Sequence, residues 1–565
     1  MLLVGLLYCY MGITFFNFGF AFRKLLNIKE AGSTITIVLG MFFITMAASI
    51  WAIFGRLNWE FQLSLLLIQL WIMVRYNSSL WSVYRSIFVK SKALDKSLKL
   101  FLALTTFLIV FYTSASHNLI DNETYYIQTI KWLDQYGFTP GLGNLHIFFV
   151  QTSGWHILQS AFSFTFLTAE FNDLNGFCLI LGIAFSIDAL QAYLKTRKTS
   201  DLGFGLLSIF LLFLLPITGA PSPDLPAIIL SIFLFRILID HSEQPNLASF
   251  VILSIIASFI VYIKIATLPI VLLPFLFYCF NKRQIALKFW PGITIAFLVL
   301  FLFIAKNVIL SGYPLYPSAL FAESCRTEMS IPKASYDFWW NRSEMIELVS
   351  LKQNALHNSS FTDLFNALIE RPIKGIGRFL TISLIVLTPI FLYKREQKKV
   401  YWFIYLTMIV QAVFLICTVP EIRFMVAFVI FFVMLMVSHI PLRVNLIKVL
   451  VTFAIFPAVA VALFLKPKSQ HHHLLKFKSS SLSVSQLWTP KANSNLDTHF
   501  ERKRKGNLLY YYPDSTAFIW ATGDGQLPCV NEKQIDYFER RLGYRPQQIG
   551  KSVKDGFYSQ KIEKP

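Results

Sequence analysis

Few residues of this chain could move a proton or grip a phosphate, and they fall in four stretches. Asp121 and Glu123 open the segment NETYYIQTIKWL, which leads on to Asn144 and His146 in PGLGNLH. Asp224 stands in TGAPSPDLPA, Lys306, Asn307, Tyr313 and Tyr316 in KNVILSGYPLYPS, and Glu421 and Arg423 in VPEIRF. A positioned carboxylate can take the proton of an attacking hydroxyl. A guanidinium can hold a phosphate by two parallel hydrogen bonds. At a membrane surface, roofed by aromatic rings, such groups suit chemistry on an amphipathic substrate.

Each residue also has a plainer reading. Asp121 is a favoured N-cap for the helix that follows it. Glu123 lies about 200° further round that helix, so it is expected as a first-turn acid facing the helix dipole. Asp224 follows a PSP turn and precedes an apolar run, where capping competes with a site role. Arg423 and Lys306 could snorkel to lipid headgroups, and Tyr313 and Tyr316 could form an interfacial belt. Asn144 and His146 could touch substrate, although a lone histidine at an interface is more often structural. Cys9, Cys178, Cys279 and Cys417 lie in apolar runs and read as packing residues. Cys325 and Cys529 lie in polar segments, as two free thiols or as one bridge pinning the tail to a long loop. No CxxC or His/Cys spacing suggests zinc, and HHH at 471–473 is a weak metal signal. A divalent ion held jointly by Asp121 and Asp224 stays open.

The elements that must position these residues are membrane helices. The chain has 565 residues, 55% of them hydrophobic and 15% charged, with mean hydropathy +0.56. A soluble globule cannot bury that much apolar surface, whereas a bilayer accepts it as helices of about 20 residues. The formal charge of +20 lies mostly in short loops, where it orients a membrane protein and meets anionic lipid, not nucleic acid. The N-terminus lacks a basic n-region and a small-residue cleavage site, so it is expected as a retained helix.

Apolar stretches fall near 1–22, 33–54, 62–75, 98–115, 146–169, 173–194, 203–219, 225–239, 248–263, 266–281, 288–305, 378–393, 400–418, 424–440 and 446–465. Arg23, Lys24 and Lys29 put the first loop inside, and Arg75 to Lys96 the third. Asp121 then lies outside. The basic LKTRKTS at 194–200 belongs inside, so one stretch after Asp121 cannot cross. The stretch 146–169, with His146, His156, Gln151, Gln159 and Trp155, is the one expected to lie at the interface. The count gives an all-α bundle of about 14 transmembrane helices, with both termini and all four polar clusters on the outer face.

The ordered motifs resemble the GT-C class of integral-membrane glycosyltransferases, which includes protein O-mannosyltransferases and the aminoarabinose transferase of lipid A. More closely, they are similar to a group of bacterial multipass proteins of that clan. The residues carrying the resemblance are Asp121, Asn144-Leu145-His146, Ser222 to Ala227, Asn307 to Pro317, Arg423-Phe424 and Leu527-Pro528-Cys529. The resemblance implies a catalytic module over 98–305 with its first outer loop at 116–170. It leaves 1–97 as three additional helices, 306–377 as a large outer loop, 378–465 as further helices and 466–565 as an extracytoplasmic tail. It implies an inverting transfer at the outer face of a bacterial inner membrane, with Asp121 as general base. Asp224 matches the second acid of that class, whereas Lys306 departs from the arginine expected there. The partners implied are a polyprenyl-phosphate-linked sugar donor, membrane lipid, and a glycan, lipid or protein acceptor. A flippase of lipid-linked sugars, a polysaccharide polymerase and a non-catalytic scaffold are the competing readings. Transporters keep ionisable groups at mid-membrane; here Asp188 is the clear exception among nearly acid-free spans.

Overall fold

A computed structural model describes the chain except residues 30, 116–117, 168–173, 286–289, 341–371, 396–397, 419–420, 465–473, 479–483 and 563–565. Much of the expected loop 306–377 and the HHH tract therefore lie outside the described residues. The described chain is mostly helical. Among the described residues six helices are long and apolar enough to cross a membrane: Leu2–Leu25, Ser33–Phe54, Lys96–Thr113, Leu174–Thr196, Trp290–Ser311 and Lys399–Cys417. Trp59–Arg75 and Asn77–Lys92 would add one more as a pair bent by 91°.

That count corrects the expected 14 spans. The reason is breakage inside the apolar runs. The run 203–219 becomes Thr199–Leu212 followed by a 3-10 turn, Leu215–Ile217, and 266–281 opens as a 3-10 stretch, Ile265–Val271, containing Pro269. Proline lacks the N–H that an α-helix needs. Leu247–Ile263 and Asp224–Asp240 have 17 residues each, short of the roughly 20 that cross the hydrocarbon. The last run divides into Val444–Phe453 and Ile455–Phe464. Hydropathy counts residues in a break as if they belonged to the helix.

The first two helices touch backbone to backbone. A Cβ on Gly19 would fall 1.8 Å from Thr36 O, and one on Gly40 1.8 Å from Phe15 O. Small residues that let two helices approach closely drive association where lipid tails make leucine contacts worthless. This pair joins the rest of the bundle through hydrogen bonds from Tyr8 Oη to Thr113 Oγ1 at 3.2 Å and from Tyr262 Oη to Ser49 Oγ at 2.9 Å. One apolar core runs through all of these helices.

The stretch 146–169 makes a 3-10 turn, Ile147–Gln151, and a short helix, Gly154–Ala161. Eight residues rise about 12 Å, too little to cross. Its polar residues His146, His156 and Gln159 are buried in protein, whereas Gln151 is exposed. Trp155 Nε1 donates to Asn175 Oδ1 at 2.5 Å, Gln159 Oε1 accepts from Leu174 N at 2.9 Å, and all three of Trp155, His156 and Gln159 are fully buried.

The tail corrects the all-α expectation. It holds two antiparallel hairpin-like pairs, β1 (Phe500–Lys505) with β2 (Leu508–Pro513) and β3 (Tyr544–Gln548) with β4 (Phe557–Lys561), around a helix, Glu532–Leu542. Gly506, at φ +62°, and Asn507 make the two-residue turn of the first pair. The tail docks on the segment that carries Asp121, so both lie on one face. Phe557 N donates to Pro140 O at 3.0 Å. Gly141 permits this approach: a Cβ there would stand 2.0 Å from Phe557 O.

Candidate active site

Four elements meet at one end of the helix bundle. Asp121 begins a turn of π-helix, Asn122–Tyr126, that continues as Ile127–Gln135. The wider π turn is frequent at functional sites because it re-aims side chains against the regular ladder. Asp121 makes no capping hydrogen bond, so the plain N-cap reading fails. Its carboxylate is 48% exposed and lies 3.8 Å from Arg423 Nη1.

Asp224 is the first residue of Asp224–Asp240, where the helix dipole favours an anion. It makes no side-chain cap either. Its carboxylate is only 13% exposed and is held from both sides, by Lys264 Nζ at 2.9 Å and Arg423 Nη1 at 3.3 Å. Burial alone would raise this carboxyl, but the two cations outweigh burial and hold it below the ordinary aspartate range. Lys264 ends Leu247–Ile263, where the dipole favours a cation. Both cations stack on one ring: Lys264 Nζ is 4.7 Å and the Arg423 guanidinium 5.2 Å from the Phe424 centroid. Arg423 itself sits in a 3-10 turn, Ile422–Met425, started by Glu421, whose charge adds to the field on the guanidinium. One guanidinium thus joins an open carboxylate to an enclosed one.

Below this ionic cap the helices leave a narrow slot of about 20 Å³. Ala227, Ile228, Ile270 and Phe428 form apolar walls, with Ser231, Thr267 and Gln411 as polar interruptions. A charged rim over an apolar slot fits an amphipathic ligand with an anionic head. Behind the rim, His156 packs 4.9 Å from the ring of Tyr126. Its Nδ1 accepts from Ser153 N at 3.3 Å, which puts the proton on Nε2. Burial, with Lys264 and Lys306 adding to it, pushes this imidazole down to about 3, so it stays neutral.

The remaining expected site residues gather elsewhere and are spoken for. Asn307 Nδ2 holds Pro314 O and Tyr316 O, each at 3.3 Å, closing the SGYPLYP turn, in which Tyr316 is buried. Asn144 Nδ2 donates to Met329 O at 2.7 Å, and its Oδ1 accepts from Ser559 Oγ in the tail at 2.8 Å. His146 is fully buried with Nε2 3.3 Å from Trp520 O, and burial pushes it down to about 3. Lys306 is buried with Nζ donating to Thr152 O at 2.6 Å, away from the carboxylates. Cys325 and Cys529 are both free thiols, the unbridged one of the two readings. Cys529 is fully buried in the tail, its Sγ donating to Thr522 O at 3.2 Å. Glu123 is no surface acid at the dipole. It is fully buried, with Ser494 Oγ donating to Oε2 at 2.6 Å and Asn495 N to Oε1 at 3.0 Å.

Sequence reasoning missed Lys264, and it quoted Phe424 only as part of the Arg423-Phe424 motif, with no role beneath the two cations. The signal for Lys264 was present: a lone lysine between apolar runs on the face where positive charge is not expected. A divalent ion between Asp121 and Asp224 does not fit this donor set, because Arg423 and Lys264 already supply the positive charge there. Among the described residues no three His, Cys, Asp or Glu side chains converge as metal ligands. No curated protein and no solved structure matches this chain. The match of residues 1–430 to one family model, which reaches from the first helix through Arg423, places the chain in the family described as a domain of unknown function (DUF8201).

Proposed function

We propose that this chain is an inverting membrane glycosyltransferase that moves a sugar from a polyprenyl-phosphate donor to a hydroxyl of a cell-envelope glycan, lipid or protein. The observation that carries the reading is the Asp121–Arg423–Asp224 bridge standing over an apolar pocket. Asp121, half-exposed, takes the acceptor's proton as its oxygen attacks the anomeric carbon. The new C–O bond forms as the bond to the phosphate oxygen breaks, and the electron pair leaves with the phosphate. Arg423 and Lys264, held by the enclosed Asp224, face that leaving phosphate as positive charge. The isoprenoid chain lies against the apolar side chains below the rim, Ile228 and Phe428 among them. The ordered GT-C motifs supply the sugar and lipid class, and the geometry supplies a base and two cations in reach of one another.

Ionic groups at helix ends favour surface chemistry over transport. The test replaces Asp121 with Asn in cells carrying the gene and compares surface glycans by mass spectrometry with a deletion strain. Loss of one glycan at unchanged protein level is the expected result. A glycan that persists with D121N, while deletion removes it, rules the base out. Cysteine labelling that puts residue 121 on the cytoplasmic face would remove the mechanism with it.

A further inference from the structure

Glu123 is the buried acid that the transfer reading leaves unused. It joins the helix behind Asp121 to two separate parts of the tail. Its carboxylate accepts from Ser494 and Asn495, and its own carbonyl accepts from Thr522 N and Gly523 N, both at 2.8 Å. The same helix repeats the grip one and two turns on. Gln128 Nε2 donates to Gly523 O at 3.0 Å and Gly525 O at 2.9 Å, and Lys131 Nζ pairs with Asp524 at 2.9 Å. A glutamine at 123 could still accept from Asn495 N through Oε1 and, with the Ser494 bond reversed, donate from Nε2 to Ser494 Oγ, keeping both contacts without a group that titrates.

We infer that residues 474–478 and 484–562 form a clamp on the first loop, with Glu123 as a proton-dependent latch that positions Asp121. The positioning step rests on the glycosyltransferase reading; the docking does not. Burial pushes the Glu123 carboxyl up to about 7 from its ordinary 4.5, with Ser494 and Asn495 pulling back and Asp524 adding to the rise. The charged groups on the packed elements are Asp524 with its partner Lys131, Lys491 and Asp497 flanking the docked tail segment, and Asp121 on the same helix. A group whose docked value is raised binds its proton more tightly when docked. Docking is therefore tightest below about 4.5, weakens as pH rises towards about 7, and is flat above.

The test follows hydrogen exchange of residues 120–135 and 491–525 in the full-length protein in lipid nanodiscs, at several pH values from 5 to 8. Wild-type protection falls with pH, by at most tenfold per unit. Glu123→Gln is expected to keep the protection and flatten its pH dependence. Glu123→Ala is expected to raise exchange in both segments about tenfold while the spanning helices stay protected. If E123A does not fold, Ser494→Ala removes one donor and is expected to give a smaller rise in the same two segments. A pH dependence that survives in E123Q, or tail protection unchanged in E123A or S494A, overturns the latch. Glycan output separates the two proposals. D121N is expected to abolish output with protection intact, whereas E123A lowers it and E123Q restores it. Output unaffected by E123A while the tail is released overturns the positioning role alone.

Discussion

Two polar clusters looked alike in the sequence and differ in the fold. The ionic rim of Asp121, Asp224, Lys264 and Arg423 is partly open, with charges balanced against each other and one carboxylate only loosely held. The turn cluster of Asn144, His146, Asn307 and Tyr316 is buried or half-buried and engaged with backbone carbonyls. Substrate chemistry needs groups with capacity to spare, and folding needs groups with none. Saturation of hydrogen bonding, more than residue type, separates a reacting group from a structural one.

The largest expected effect breaks the comparison on the rim side. D121N keeps the shape and removes the base, so product formation should fall by about 10²–10⁴-fold with no loss of folded protein in a detergent thermal-shift assay. Next, Arg423→Gln leaves Asp224 with one cation instead of two. Product should fall by a smaller factor than in D121N, and adding Asp224→Asn should restore part of the loss of folded protein, a non-additivity expected of contacting charges. Asn307→Ala sharpens the turn side. It orphans Pro314 O and Tyr316 O, costing about 1–3 kcal/mol of stability, while the protein that does fold should retain its rate. Asn144→Ala should behave alike but more mildly, about 0.5–1.5 kcal/mol, because its partners are nearer solvent. A rate defect in N307A without a stability defect would reverse the assignment of the two clusters.

The convergence of Asp121, Asp224 and Arg423 was legible in the sequence because charges that interrupt apolar runs on one predicted face can only meet at the ends of a bundle. Lys264 was passed over as a boundary between apolar runs, although its charge was the anomaly. Glu123 could not be read correctly, since its donors Ser494 and Asn495 lie more than 370 residues away and only tertiary structure brings them close. Span number went wrong for a local reason: Pro269 and the 3-10 turns break the apolar runs without making them polar. The hairpin at Gly506-Asn507 is marked in the sequence by a two-residue turn, but the five charges and one apolar ring of FERKRK give β1 no strand-like alternation.

The docking of Glu123 on Ser494 also sets an order of events during synthesis. The two residues are 371 positions apart, so at about 5–20 residues per second the ribosome needs roughly 20–70 s to deliver the second after the first. During that interval the Asp121 segment has been made but not fastened. A chain stalled or cleaved before residue 494 would insert its helices, bury the Gly19–Gly40 contact and still leave its carboxylate unplaced. The tail thereby makes the finished chain, and not merely the inserted one, the unit that can work.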